Sequence, residues 1–341
     1  MKRERIISAI AHKQTDYIPH DVDVTVPIAQ KLCDRLGIPH EQHSYNFFNP
    51  ELWNWLGNHI EEAKYRKGTW LTPNVYQDPF GVRWNREIDK DIGVIIEYIL
   101  KEPEIGNYHV PEPNLAYVDE VTTKMFEINK DSYKFGKIGF SLFERAWSLR
   151  GFENFLGDLA GEEKFVCELL DQILDYNMKI IERALNYPLD GFFFGDDYGQ
   201  QHGLLMSPAT WRKFFKPRLA KMFDKIKRTG RTVSLHSCGN LSDILGDLID
   251  IGLDVYQTVQ PEIYGLKEIK EKFGAHLTFW GGISTQKDLP YVTPEEVKKI
   301  AREAIKIMGK GGGYIAAPTH QIPADVPIEN VVALIEAFKE Q

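Results

Sequence analysis

Several things are scarce in this sequence, and each scarcity closes off a class of protein. It holds 3 cysteines in 341 residues, Cys33, Cys167 and Cys238, too few and too scattered for a disulfide framework. A reducing compartment suits them, and a cytoplasmic location is the expectation. No apolar run approaches the length of a membrane span, and residues 1–10 carry charges without the apolar core of a signal peptide. Positive charge is in deficit, 41 Lys and Arg against 49 Asp and Glu, the wrong sign for a nucleic-acid footprint. There is no phosphate loop, no glycine-rich dinucleotide fingerprint after a strand and no Gly-x-Ser-x-Gly elbow.

What is present is a long strand–helix alternation. From about residue 135, strand-like runs at 137–142, 191–194, 232–235, 255–259, 277–280 and 313–317 are separated by helical patterns at about 161–186, 208–229, 241–251, 265–273, 294–308 and 327–340. Proline opens helices at Pro208, Pro294 and Pro327, and Gly230, Gly252, Gly274 and Gly309 stand near helix ends. Residues 2–13 and 27–37 read as helices flanking a strand at 16–24, on which Asp21 and Asp23 share one face. The fold expected is α/β, one (β/α)8 TIM barrel spanning residues 1–341, with an N-terminal insertion at about 40–130. That insertion is dense in aromatics, among them Tyr45, Phe47, Phe48, Trp53, Trp70 and Trp84, and holds a β-hairpin at 82–99 turning at Asp89, Lys90 and Asp91. Its aromatics serve either core packing or a cap over a flat apolar substrate.

In such a barrel chemistry gathers where strands give way to helices. Those positions hold Glu144 and Arg145; Asp196, Asp197 and Tyr198; His236 and Cys238; Gln257; Trp280; and His320. His236 and Cys238, two residues apart on an extended segment, share a face, and imidazole with thiolate suits zinc once further ligands are found. His320 follows another strand end. A buried histidine beside an inert thiol is the plainer alternative. Asp196, Asp197 and Glu144 are the acid–base candidates, and Arg145, Tyr198, Gln257 and Trp280 the candidates for substrate contacts.

Taken together, Arg5 to Pro19, Phe194 to Asp197, Leu235 to Asn240, Phe279 to Ile283, and Gly312 to His320 with Asp325 to Asn330 resemble the uroporphyrinogen decarboxylase superfamily, whose fold is a (β/α)8 barrel. Its true decarboxylases use no metal and grip substrate carboxylates with an arginine-rich N-terminal segment. Here the corresponding strand carries Asp21 and Asp23. The resemblance is closer to the zinc-dependent methyltransferase branch, which uses a His-x-Cys pair and a later Cys. This chain has no cysteine after Cys238, and His320 stands about where the late ligand falls. The resemblance therefore implies zinc on His236, Cys238 and His320, with Glu144 or Asp196 able to complete the shell. It implies a corrinoid (cobalamin) carried by a partner protein, and a small methylated substrate. The stretch from Phe143 to Trp147 resembles the subset that demethylates aromatic methyl ethers. Two alternatives stand beside this: a metal-free decarboxylase of the porphyrinogen type using Asp196 or Asp197, and a non-catalytic binding partner of a corrinoid protein.

Overall fold

Strands of a parallel sheet buried on both faces favour unbroken apolar, β-branched and aromatic runs. The computed structural model describes residues 1–39, 49–89, 92–128 and 130–341. Seven strands make its main sheet: β1 (Ile60–Lys64), β2 (Tyr133–Ile138), β3 (Gly191–Gly195), β4 (Thr232–His236), β5 (Val255–Val259), β6 (Thr278–Ile283) and β7 (Tyr314–Pro318). Every residue of β3, β6 and β7 is buried, as the apolar runs predict. The chain divides into two compact units, Met1–Glu62 with Phe126–Lys134 and Asp254–Gln341, and Ala63–Met125 with Phe135–Leu253.

In the second unit β2 and β4 flank β3, both parallel to it, with Phe135 and Thr232 opposite Gly191. In the first, β5, β6 and β7 run parallel in that order, Val255 opposite Thr278 and Phe279 opposite Tyr314. The strand expected at 16–24 forms only isolated parallel bridges, His20 with Ala316 and Val24 with Ile322. Pro19 has no N–H to give a ladder. The backbone still pairs on both sides: the Asp21 amide donates to Ala316 O at 3.0 Å, and His20 O accepts from the His59 amide at 3.2 Å. With this segment there are eight strand positions, and the fold class is α/β of the (β/α)8 type.

Two departures bear on the site. The strand expected at 137–142 lies earlier, at β2, and the strand-end residues 143–150 form a helix (Phe143–Arg150) that the sequence pattern did not mark. Between them Phe140 takes a left-handed φ of 49°, a turn that ends the strand. The single helix expected at 208–229 is two, Pro208–Phe214 and Lys216–Lys227, because Pro217 can donate no bond into the preceding turn. The helix at 294–308 stands as expected, closed by a capping box of Thr293 and Glu296.

The expected hairpin is half of a four-stranded antiparallel sheet, Thr69–Thr72, Val75–Gln77, Arg83–Asn85 and Val94–Glu97. Phe80, Trp84 and Tyr65 are buried in the second unit and Trp53 in the first, so these aromatics are packing, whereas Trp70 is 53% exposed. Tyr45, Phe47, Phe48, Lys90 and Asp91 lie outside the described residues. No described helix is long and apolar enough to cross a membrane.

Candidate functional site

The ends of β3 and β4 are tied together by backbone before any side chain is considered. The Asp196 amide donates to His236 O at 3.0 Å, and the Asn240 amide to Gln200 O at 2.8 Å. Between the two loops Gly239 sits at φ 85°, and a Cβ there would stand 2.2 Å from the carbonyl carbon of Gly199. Only glycine allows that approach. The loops bearing Asp196–Asp197 and His236–Cys238 are thereby held in fixed register.

Asp196 has no exposed surface. Its carboxylate accepts from the amides of Leu142 (2.8 Å), Phe143 (2.9 Å) and Glu144 (2.7 Å), from Ser141 Oγ (3.2 Å) and from the Tyr198 hydroxyl (2.7 Å). Those amides open the Phe143–Arg150 helix, so Asp196 caps it from another strand, with charge complementing the helix dipole. Burial raises its pKa to about 6, while the Glu144 amide, Tyr198 and the amides of Phe143 and Leu142 pull the other way. Five donors on a closed carboxyl make Asp196 an anchor for the helix, not the open proton donor expected. Tyr198 is corrected likewise: fully buried among Phe143, Trp211 and Phe215, with its hydroxyl committed to Asp196, it has no face for substrate.

Glu144 lies in the first turn of that helix and is half-buried. Desolvation first, then the Asp197 and Asp196 carboxylates, raise its pKa well above the ordinary value, against the pull of Arg66 and Arg145. An acid so placed holds its proton more tightly than an exposed glutamic acid does. Arg145 is not at an open rim. It is 1% exposed, bound through Nη1 to Asp78 at 2.6 Å, its guanidinium carbon 4.2 Å from the Phe80 ring centroid. Sequence reasoning missed Asp78 and Arg66 because they belong to the insertion, where no strand-end signal stands out.

His236 closes β4, and its Nε2 stands 3.5 Å from Cys238 Sγ and 3.5 Å from Asp197 Oδ1. Asp197 Oδ1 also accepts the Cys238 amide at 2.8 Å, which fixes the backbone that carries the thiol. The nitrogen and sulfur ligands of one tetrahedral zinc stand about 3.6 Å apart, from bond lengths near 2.1 and 2.3 Å. The observed separation fits that edge, and it also suits a thiol–imidazole hydrogen bond. Asp197, with 38% of its side chain exposed, is the carboxylate beside this pair; Asp196, already saturated, is not.

The remaining candidates belong to the first unit. His320 is exposed, two residues past the end of β7. Gln257 is half-buried on β5, and Trp280 is buried within β6, where a packing role accounts for it.

A family model described as Uroporphyrinogen decarboxylase (URO-D) matches residues 80–341. Two proteins named methylcobamide:CoM methyltransferase MtaA, from Methanosarcina barkeri and its strain Fusaro, are each 35% identical over 136 residues, which is 40% of this chain and 38% of theirs. A uroporphyrinogen decarboxylase of Magnetococcus marinus is 25% identical over 182 residues, 51% of this chain and 48% of that one. The matched stretches thus span well under two thirds of these relatives. A solved structure titled as a methyltransferase from Methanosarcina mazei superposes with a TM-score of 0.75 at 22% identity, over 99% of this chain and 98% of that one, a likeness of fold.

Proposed function

The chain belongs to the uroporphyrinogen decarboxylase (URO-D) family, and from that premise we propose that it is a methyltransferase, not a decarboxylase. It moves a methyl group from a small methylated substrate, in the finer proposal an aromatic methyl ether, to a corrinoid carried by a partner protein. The observation that carries this reading is the 3.5 Å pair of His236 Nε2 and Cys238 Sγ at the end of β4. The names of the Methanosarcina barkeri relatives support it.

We assign zinc to His236, Cys238 and His320, two imidazole nitrogens and a thiolate sulfur, a donor set that zinc accepts. Zinc bound there supplies Lewis acidity toward the oxygen or sulfur that carries the methyl group. The chain's own residues do the rest. Glu144 holds the proton that a departing oxygen needs. Asp196 fixes the helix on which Glu144 stands. Asp197 holds the backbone that carries the thiol through the Cys238 amide and faces His236.

Metal analysis of stripped and zinc-reloaded protein, with cobalamin methylation followed by absorbance across a panel of methoxyarenes, tests the reading. We expect about one zinc per chain, lost in Cys238→Ala together with methyl transfer. Full metal content and activity in that variant would end the zinc assignment. Metal-independent turnover of uroporphyrinogen would transfer the chain to the decarboxylase branch, and corrinoid-protein binding without methyl transfer from any donor would leave a binding partner.

A further inference from the structure

Two guanidinium groups in the second unit converge on one carboxylate. Buried Asp78 accepts from Arg145 Nη1 at 2.6 Å and Trp84 Nε1 at 3.2 Å through Oδ2, and from the amides of Phe80 and Val82 through Oδ1. Arg66 reaches that Oδ2 only at 3.8 Å, beyond hydrogen-bond range. Asp78 thus gives its hydrogen bonds to Arg145 and meets Arg66 only as a longer ion pair, so one carboxylate serves two guanidinium groups. On Arg145 itself, Nε and Nη2 are buried with no hydrogen-bond partner among the described residues. Buried donors without acceptors are costly.

Arg66 is the open member of the set. It follows β1 by two residues, in a strand-end position, with 25% of its side chain exposed. Its guanidinium carbon lies 4.6 Å from the ring centroid of Phe140, which packs edge-on against Trp84 at 5.7 Å and stands 6.0 Å from Trp147. Arg66 and Arg145 both act on Glu144, the acid described above, so the cations and that acid share one neighbourhood.

We infer that Arg66, backed by the buried charge of Arg145, is an anion-recognition site that takes the carboxylate or sulfonate group of the small organic substrate. An oxyanion there would accept from Arg66 and lie beside an aromatic wall. A planar guanidinium fork matches a carboxylate in two parallel bonds, and a sulfonate offers the same charge with three oxygens. The inference rests on the proposed function only in naming the anion as part of that reaction's substrate.

The test is direct binding of benzoate, benzenesulfonate and neutral benzamide, followed by tryptophan fluorescence, since Trp84 and Trp147 flank Phe140. We expect saturable, salt-sensitive binding of one or both anions and at least tenfold weaker binding of benzamide. Stronger benzoate binding would identify a carboxylate substrate, and stronger benzenesulfonate binding a sulfonate. Arg66→Gln should weaken the anions at least tenfold and leave benzamide unchanged, whereas Lys67→Gln, at the exposed neighbouring cation, should change nothing. Anion binding must survive removal of zinc. The inference is overturned if anions and benzamide bind alike, if Arg66→Gln binds as the parent does, if no anion saturates the protein, or if binding disappears with the metal. Anion binding without methyl transfer would instead sink the proposed function and leave the site standing.

Discussion

Two acids one strand-end apart illustrate how little the residue type alone says about its work. Asp196 is enclosed by five donors, and Glu144, whose amide is one of them, is half-open and feels the Asp196 and Asp197 carboxylates. Replacing each by its amide should therefore separate the roles. Asp196→Asn turns an NH2 group or a weakened acceptor toward amides that need an anion, and we expect it to cost about 2–4 kcal/mol of stability in urea unfolding. Glu144→Gln should leave the unfolding midpoint nearly unchanged and lower kcat by about a hundredfold or more, with KM little affected. In the proposed role Glu144 acts in its protonated form, and because its pKa is raised the parent's rate should fall as pH rises through that raised pKa. That falling limb should be missing in Glu144→Gln. A variant that lost KM and kept kcat would make Glu144 a substrate contact instead.

At the scale of elements, the site depends on a backbone contact between the loops after β3 and β4. Gly239 is where they touch, and a methyl group there would meet Gly199 and Gln200 backbone atoms at 2.2–2.6 Å. Rigid backbone lies on the other side, so the β4 loop must move, and Cys238 moves with it. Gly239→Ala is expected to reduce bound zinc and activity severely while retaining a folded circular-dichroism spectrum. Unchanged metal content would show that the loop tolerates the shift. The Phe143–Arg150 helix is the second element that matters. Its first turn is capped by Asp196, its body carries Arg145 into the core against Asp78, and it thereby ties the antiparallel insertion to β3 within one unit.

For the molecule as a whole, acid sensitivity should come from a pair of buried histidines in the first unit. His20 and His59 are buried with ring centroids 4.9 Å apart. Burial lowers His20 to about 4 and His59 to about 3, each from 6.5. Between pH 6.5 and 4 the unfolded chain thus takes up protons that the folded chain refuses. The stability these groups contribute is complete above 6.5 and is lost as pH falls toward 4 and then 3. Between pH 6.5 and 5 the loss should be roughly 2–4 kcal/mol for the two together. Urea midpoints over this range measure it, and His59→Gln should remove about half of the slope. An unaltered slope would place the acid sensitivity in other groups.

Local pattern was enough for most strands and helices of the second half, the helix split at Pro217 excepted, because continuous apolar runs and proline- or glycine-marked helix ends act within a few residues of themselves. Helix 294–308, with its capping box, is legible in Thr293, Pro294 and Glu296 alone. The pairing of His236 with Cys238 is equally local, a matter of two residues on one strand end. What the sequence could not assign was partnership across long separations. Asp196 looked like a reactive acid until three amides, a serine hydroxyl and Tyr198 closed around it. Arg145 looked like a rim residue until Asp78, 67 positions earlier, took it into the core. The residues around Arg66 carry no motif at all. Secondary structure follows from short-range periodicity, whereas the ionisation and exposure of a side chain follow from everything folded around it, and only the tertiary structure decides that.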